Sequence, residues 1–111
     1  MVDITQVKTA LGNLIKNAIE SANSDGVVEV TLTLDKQDRI EISIFDSGKT
    51  LDAYESEIIF KPFYSEKKDG LGLGLSISKS LIENNDGSIK YRSKPKKCFV
   101  VSLPTGNKID V

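Results

Sequence analysis

Apolar residues recur every three or four positions through the first part of the chain. The repeat covers residues 7–22, and its period is that of an α-helix with one apolar face. Asp3 or Thr5 can cap the start of this helix, and the segment 23–26 contains residue types that tolerate a left-handed backbone. The pattern therefore predicts a long amphipathic helix that ends before residue 23.

A strict alternation of apolar and polar residues follows the helix. It runs through residues 28–34, breaks at the polar segment 35–38 and resumes at residues 40–44. A period of two is that of a β-strand, so the segment predicts two antiparallel strands with one buried face, joined by a turn. The side chains predicted on that face are Val28, Val30, Leu32, Leu34, Ile40, Ile42 and Ile44.

The second half of the chain predicts two more helices and two more strands. Residues 50–60 are interpreted as a loop and a short helix, and residues 61–72 as a loop that is a candidate lid. A second long helix begins near Leu75 and ends near residues 84–87, and the segments 89–92 and 99–103 are predicted strands. Helices that alternate with antiparallel hairpins indicate an α+β fold, with one sheet covered on one face by helices.

Composition limits the classes of function. The 111 residues are 39% hydrophobic and 28% charged, which is typical of a single soluble domain. Lys and Arg number 15 against 16 Asp and Glu, and the net charge of −1 gives no global attraction to nucleic acid or to an anionic membrane. The basic stretch 90–97 is interpreted as a solvated strand and turn, because only Tyr91 and Phe99 accompany it as stacking platforms.

Missing residue types narrow the chemistry further. The chain has no histidine and a single cysteine, Cys98, which excludes an internal disulfide, a Cys/His zinc set and a Ser/His or Cys/His hydrolase pair. A phosphohistidine cannot form on this chain itself. No apolar run approaches the roughly 20 residues that span a bilayer. We expect no membrane contact by this domain and a reducing, cytoplasmic location, and membrane anchorage of a parent protein stays open.

Three alternating glycines, Gly70, Gly72 and Gly74, precede the second long helix. Glycines at a helix start leave backbone N–H groups uncovered where the helix dipole is positive, which favours a polyphosphate ligand. Glycine-rich turns are also common without a ligand, and this spacing fits neither the dinucleotide fingerprint nor a Walker loop. By itself the run predicts a nucleotide of unspecified kind.

Polar side chains form a stripe on the first helix beside its apolar face. A projection at about 100° per residue groups Gln6, Asn13, Asn17 and Glu20. Asn13 and Asn17 are four residues apart and therefore neighbours, and asparagine is disfavoured inside helices. Their carbonyl oxygens suit Mg²⁺, a hard cation that accepts neutral oxygen ligands beside phosphate. Alternatively, both are simply exposed helix residues.

An aspartate ends the second predicted strand. Asp46 has the parity of Ile42 and Ile44, so its carboxylate is predicted to face the buried side of the sheet. A buried carboxylate requires a hydrogen-bond donor, and the exocyclic amino group of adenine is one. Gly48 would let a ligand lie close to the backbone. Alternatively, Asp46 starts an Asx turn in the sequence Asp-Ser-Gly.

These features occur in the order of a known family. The four segments are Asn13-Leu14-Ile15-Lys16-Asn17-Ala18, Asp46-Ser47-Gly48, Phe60-Lys61-Pro62-Phe63-Tyr64-Ser65-Glu66-Lys67 and Gly70-Leu71-Gly72-Leu73-Gly74-Leu75. Together they resemble the ATP-binding catalytic domain of sensor histidine kinases, of the GHKL class with the Bergerat fold. The resemblance covers residues 6–104. It implies a two-layer sandwich with a mixed, largely antiparallel sheet and an ATP lid loop.

The resemblance also implies a domain boundary and a role for each site residue. Residues 1–111 would be one catalytic domain from a longer protein, without the strand pair that usually precedes the first helix. Asn17 would ligate Mg²⁺, and Asp46 would bind the adenine amino group beside Gly48. Asn13, Asn17 and Lys67 would serve phosphoryl transfer. The remaining ATP-binding residues would be Phe60, Phe63 and Tyr64 in the lid, and Gly70, Gly72, Leu73, Gly74 and Leu75 in the glycine segment.

The implied function is binding of Mg-ATP and presentation of its γ-phosphate to a histidine elsewhere. Relatives that hydrolyse ATP resemble this chain but carry a glutamate base at the position of Asn13, and an amide cannot take that proton. The implied partners are a histidine-bearing dimerisation domain of the same parent protein and a response regulator. Alternatives are a degenerate docking module and an anti-sigma-factor-type serine kinase.

The chain departs from the family pattern at two places near the adenine site. Thr50 stands where the first glycine box usually has a second glycine. Lys96-Lys97-Cys98-Phe99 replaces the usual Gly-Thr-x-Phe, so the threonine that often supports the aspartate and the adenine is missing. These departures motivate the degenerate-module alternative.

Overall fold

The structure, a computed structural model, describes residues 2–35, 37–62 and 74–105. Three helices and four strands follow one another within these ranges. In chain order they are α1 (Ile4–Ala22), β1 (Val28–Leu34), β2 (Arg39–Asp46), α2 (Ala53–Ile58), α3 (Gly74–Asn84), β3 (Ser88–Arg92) and β4 (Cys98–Pro104). The predicted elements and the α+β class are confirmed, whereas most of the predicted lid segment lies outside the described residues.

The four described strands form one sheet in the order β1-β2-β4-β3. Each strand is antiparallel to its neighbours. The register places Val30 opposite Ile44, and Ile42 opposite Val101, so these side chains share one face of the sheet. Helices α1 and α3 pack on this face, α1 over β2 and α3 over β3.

Helix α1 has the start and end that its sequence predicts. Asp3 is the N-cap, and its side chain accepts a hydrogen bond of 3.1 Å from the backbone N–H of Gln6. Asn23 follows the last turn with φ of 65°, the left-handed region that stops a helix. The buried positions recur at helical spacing and are Ala10, Leu14, Ala18 and Ala22.

Helices α1 and α3 are held together at close range. Ser78 of α3 is fully buried, and its hydroxyl lies 3.3 Å from the carbonyl oxygen of Ala10 and 2.8 Å from that of Gly74. Beyond the end of α3, the buried Asn85 accepts from the backbone N–H of Asp3 at 2.6 Å and donates to Gln6 Oε1 at 3.0 Å. Gln6, one member of the predicted polar stripe, therefore has a structural role.

The predicted buried face is wrong for β1 beyond Val28, which is half-buried against the core. Val30, Leu32 and Leu34 are 51%, 66% and 65% exposed, although they share the sheet face of β2. On β2 itself, Ile42 and Ile44 are 6% and 0% exposed. The helices cover β2, β4 and β3 but reach only the start of the edge strand β1, at Val28. Alternation therefore identified the strand and its apolar face without showing what covers that face.

This difference predicts unequal costs for two substitutions at directly opposed positions. Ile42→Ala removes a buried side chain and should lower the free energy of unfolding by about 2–5 kcal/mol. Leu32→Ala, opposite Ile42 in the register, should change it by less than about 0.5 kcal/mol because Leu32 is exposed. Urea unfolding followed by circular dichroism measures both. Equal losses would contradict the position of Leu32 outside the helical layer.

Candidate functional site

Asp46 is the last residue of β2 and is buried on the helix-covered face. It is 2% exposed, as its parity with Ile42 and Ile44 predicts. Its Oδ1 also accepts a hydrogen bond of 2.8 Å from the backbone N–H of Gly48, which is the geometry of an Asx turn. The predicted inward direction of the side chain and the Asx turn therefore occur together, because one carboxylate oxygen closes the turn while the side chain is buried.

The partner of this carboxylate is Lys97, a residue that the sequence analysis assigned to a solvated strand and turn. Lys97 is 8% exposed, and its Nζ lies 2.8 Å from Asp46 Oδ1 and 2.5 Å from the carbonyl oxygen of Lys49. That interpretation is wrong for Lys97. It does hold for Lys96, which is exposed and pairs with Glu29 at 2.7 Å.

The register explains why Lys97 meets Asp46. Phe99 is opposite Ile44, and extending this antiparallel register by two residues, to the end of β2 and to the residue before β4, brings Lys97 opposite Asp46. Lys97 has the same parity as the buried residues Phe99, Val101 and Leu103. Cys98 and Val100, of the opposite parity, are buried as well, so the available sequence signal was a lysine close before a continuous apolar run.

The ion pair leaves acceptor capacity on Asp46. Both described contacts of the carboxylate, from Gly48 and from Lys97, go to Oδ1. Within the described part of the chain, Oδ2 receives no hydrogen bond. A buried carboxylate oxygen without a donor favours a ligand that brings one. The carboxylate thus fits the exocyclic amino group that the resemblance assigns to it.

Gly48 is required by the protein itself. A Cβ built on Gly48 would lie 2.3 Å from both the backbone oxygen and the hydroxyl of Ser21. Ser21, in the last turn of α1, therefore occupies the space beside Gly48 where a ligand was predicted. This contact fixes the loop after β2 against α1, and so fixes Asp46 relative to the polar stripe of that helix.

Asn13 and Asn17 lie one turn apart on α1, and both are half-buried. Among the described residues, no three His, Cys, Asp or Glu side chains come together as a metal site. The amide oxygen of Asn17 is a ligand type that Mg²⁺ accepts, and an ion held there would complete its shell with phosphate and water oxygens. The donor set thus fits a metal that arrives with a nucleotide.

Phe60 is attached to the core. Its ring packs edge-on against Phe99 at 5.8 Å between centroids, and Lys79 Nζ lies 5.6 Å from its centroid. Phe60 is half-buried and follows α2 closely, so the predicted lid begins from a fixed point. The predicted site residues Phe63, Tyr64, Lys67, Gly70, Gly72 and Leu73 lie outside the described residues.

Gly74 and Leu75 form the start of α3. Leu75 is half-buried against the core. Gly74 is exposed, and a Cβ built there would meet nothing within 4 Å. Packing within the described residues therefore does not require glycine at this position.

The sequence matches a known family over almost its whole length. Residues 2–107 match the histidine kinase-, DNA gyrase B- and HSP90-like ATPases. The chain belongs to this family. Among curated proteins, this ATPase domain is 36% identical over 104 residues to the sensor histidine kinase ZraS of Klebsiella oxytoca, which covers 92% of the chain and 22% of ZraS. The domain thus spans about a fifth of that relative.

Solved structures agree with this assignment. The catalytic domain of the histidine kinase ThkA, in a nucleotide-free form, has a TM-score of 0.83 and 33% identity, covering 94% of this ATPase domain and 69% of that chain. Full-length ShkA in complex with AMPPNP has a TM-score of 0.76 and 25% identity, covering 89% of the domain and 21% of that chain. The predicted fold is confirmed. None of the described helices is both long enough and apolar enough to cross a membrane.

The buried ion pair predicts unequal effects of two adjacent lysines on stability. Lys97→Met should lower the free energy of unfolding by about 3–5 kcal/mol, because it leaves Asp46 buried without its cation. Lys96→Met is the matched control and should cost less than about 1 kcal/mol, since the Lys96–Glu29 pair is exposed. Urea unfolding measures both.

A double substitution isolates the pairing itself. Asp46→Asn combined with Lys97→Met removes both charges, and it should cost less than Lys97→Met alone. If the two single losses simply added, the pair would not be coupled.

Proposed function

We propose that this domain binds Mg-ATP and presents the γ-phosphate to a histidine on a separate dimerisation domain of the same parent protein, in two-component signalling. The observation that carries the proposal is the buried carboxylate of Asp46, which has Oδ2 available in the described structure. Membership of the ATPase family and similarity to sensor histidine kinases support it. The AMPPNP complex of ShkA supports an adenine nucleotide as the ligand.

We assign roles to residues on both sides of the contact between α1 and the end of β2. Asp46 accepts from the adenine amino group, and Asn17 supplies an oxygen to Mg²⁺. Gly48 holds the loop after β2 against Ser21, so that the adenine and metal sites keep a fixed separation. When bound, Mg²⁺ neutralises phosphate charge, which is most of what a loose phosphoryl-transfer transition state requires.

Asn13 disfavours the competing hydrolysis reaction. An amide side chain cannot accept the proton of an attacking water. The acceptor histidine must come from another domain, because this chain contains none. We therefore propose that the isolated domain binds nucleotide and turns it over very slowly. We also propose that residues 1–111 form a single domain of a longer protein. This domain would be located in the cytoplasm, and a response regulator would be its downstream partner.

A second candidate function follows from Lys97. Its ammonium occupies Asp46 Oδ1, and the family usually has a threonine at this position. A domain with a blocked adenine site would serve as a docking module without kinase activity. The two candidates differ in a single measurable property, the binding of nucleotide.

Calorimetric titration tests the proposed function. The domain should bind ADP and ATP, and Mg²⁺ should strengthen binding. Asp46→Asn should weaken binding by about tenfold or more, because one charged acceptor is lost. Asp25→Asn, at an exposed position outside the site, is the matched control and should bind as the wild type does. Absence of nucleotide binding in the folded wild-type domain would favour the docking module.

Asn17→Ala distinguishes the contribution of Mg²⁺ to nucleotide affinity from that of the adenine contacts. This variant should lose most of the strengthening by Mg²⁺ while retaining its metal-free affinity for ADP, since only the metal ligand is removed. Asn84→Ala, at an exposed asparagine of α3, is the control and should keep the full magnesium effect. An Asn17→Ala variant with an unchanged magnesium effect contradicts the assigned role.

Transfer to histidine needs a supplied acceptor. A histidine-bearing dimerisation domain, mixed with this domain and γ-labelled ATP, should acquire an acid-labile label. Label on a protein serine would be stable to acid and would indicate a serine kinase. A domain that binds ATP and labels neither acceptor contradicts the kinase proposal.

A further inference from the structure

Lys97 has one hydrogen-bond donor that the described structure does not use. An ammonium group has three N–H donors, and two of them are directed to Asp46 Oδ1 and to the carbonyl oxygen of Lys49. The residue is 8% exposed, so more than nine-tenths of its surface is removed from water. Buried donors normally have partners, and no third partner exists among the described residues.

The unused donor and the unused acceptor belong to the two members of one ion pair. Lys97 Nζ is 2.8 Å from Asp46 Oδ1, and Asp46 Oδ2 belongs to the same carboxylate. Asp46 is the last residue of β2, Lys97 directly precedes β4, and both side chains are buried. Because the carboxylate and the ammonium are in direct contact, a single flat ligand edge can bridge Asp46 and Lys97.

We propose that Lys97 binds the nucleobase directly, by donating its third N–H to the ring nitrogen N1 of adenine beside the amino group that Asp46 accepts. This inference rests on the proposed function and adds a residue that determines its specificity. Adenine carries a donor at position 6 next to an acceptor at N1, which matches an acceptor beside a donor on the protein. Since the Asp46–Lys97 pair is neutral overall, it binds a neutral base without leaving a buried net charge.

A lysine makes this recognition stricter than a hydroxyl would. A hydroxyl can donate or accept, whereas an ammonium only donates. In the same pose, hypoxanthine presents an oxygen to the carboxylate and an N1–H to the ammonium. Both contacts are repulsive, and repulsion of the wrong ligand is an efficient source of specificity.

The test compares ligands that differ at single atoms. Titration of the wild-type domain with ADP and with 1-deaza-ADP, which has C–H in place of N1, should show about tenfold or greater loss of affinity, as for a hydrogen bond to a charged donor. The matched control ligand is 7-deaza-ADP, which is altered on the other ring and should bind within about twofold of ADP.

Variants of Lys97 complete the cycle. Lys97→Met should bind ADP and 1-deaza-ADP with equal affinity, because the donor is absent. Lys97→Thr should reduce the preference for ADP over inosine diphosphate, because a hydroxyl can accept from N1–H. Circular dichroism identifies a variant that does not fold, and in that case the wild-type ligand pair decides alone.

The outcomes separate this inference from the proposed function. Equal wild-type affinities for ADP and 1-deaza-ADP would overturn the role of Lys97 in base binding, and ADP binding itself would still support the proposed function. A folded Lys97→Met variant with the wild-type ratio of ADP to 1-deaza-ADP affinity would also overturn this role. Lys97 would then serve only in the structural ion pair with Asp46. No binding of any of these nucleotides would overturn the proposed function and this inference together.

Discussion

The arrangement of the candidate site depends on how closely α1 lies against α3 and the sheet. Ala10 and Ser78 meet at the helix contact without any exposed surface, and larger side chains there would separate the two helices. Beyond the end of α3, Asn85 ties that helix to the start of α1. At the other end of α1, Ser21 leaves room only for glycine at position 48. Helix α1 is thus fixed at both ends, and its two asparagines lie between these fixed points.

Much of the fold could be predicted because local patterns carried it. The 3.6-residue repeat defined α1, and the period of two defined the β1–β2 hairpin. Parity along β2 also placed Asp46 on the buried side, which is a statement about geometry that needs no knowledge of neighbouring elements. Capping residue types limited the start of α1 to Asp3 or Thr5 and its end to residues 23–26, and the structure selects Asp3 and Asn23.

The predictions that were wrong concern burial by elements that are distant in the sequence, about which a local pattern carries no information. The apolar positions of β1 alternate as well as those of β2, but burial is decided by how far the helical layer extends. Lys97 was assigned to solvent because it stands in a basic stretch, although the register of β4 brings it opposite Asp46. The charge of a segment describes its average environment, whereas the burial of one side chain depends on the residue that it meets across the sheet. Similarly, the space beside Gly48 was predicted for a ligand, and Ser21 of α1 occupies it.

The contacts of α1 also have a consequence for the order of folding. The hydrogen bonds that dock this helix join residues 68, 79 and 82 positions apart in the chain. Closing such long loops costs entropy before any contact is gained, and non-local contacts of this kind slow folding. During synthesis from the N-terminus, α1 is made before the described strands and helices on which it packs. The contacts of α1 with Ser78 and Asn85 cannot form until α3 and the residue after it have been made. Among the described elements, α1 is therefore the earliest to be synthesised, and its packing is completed late.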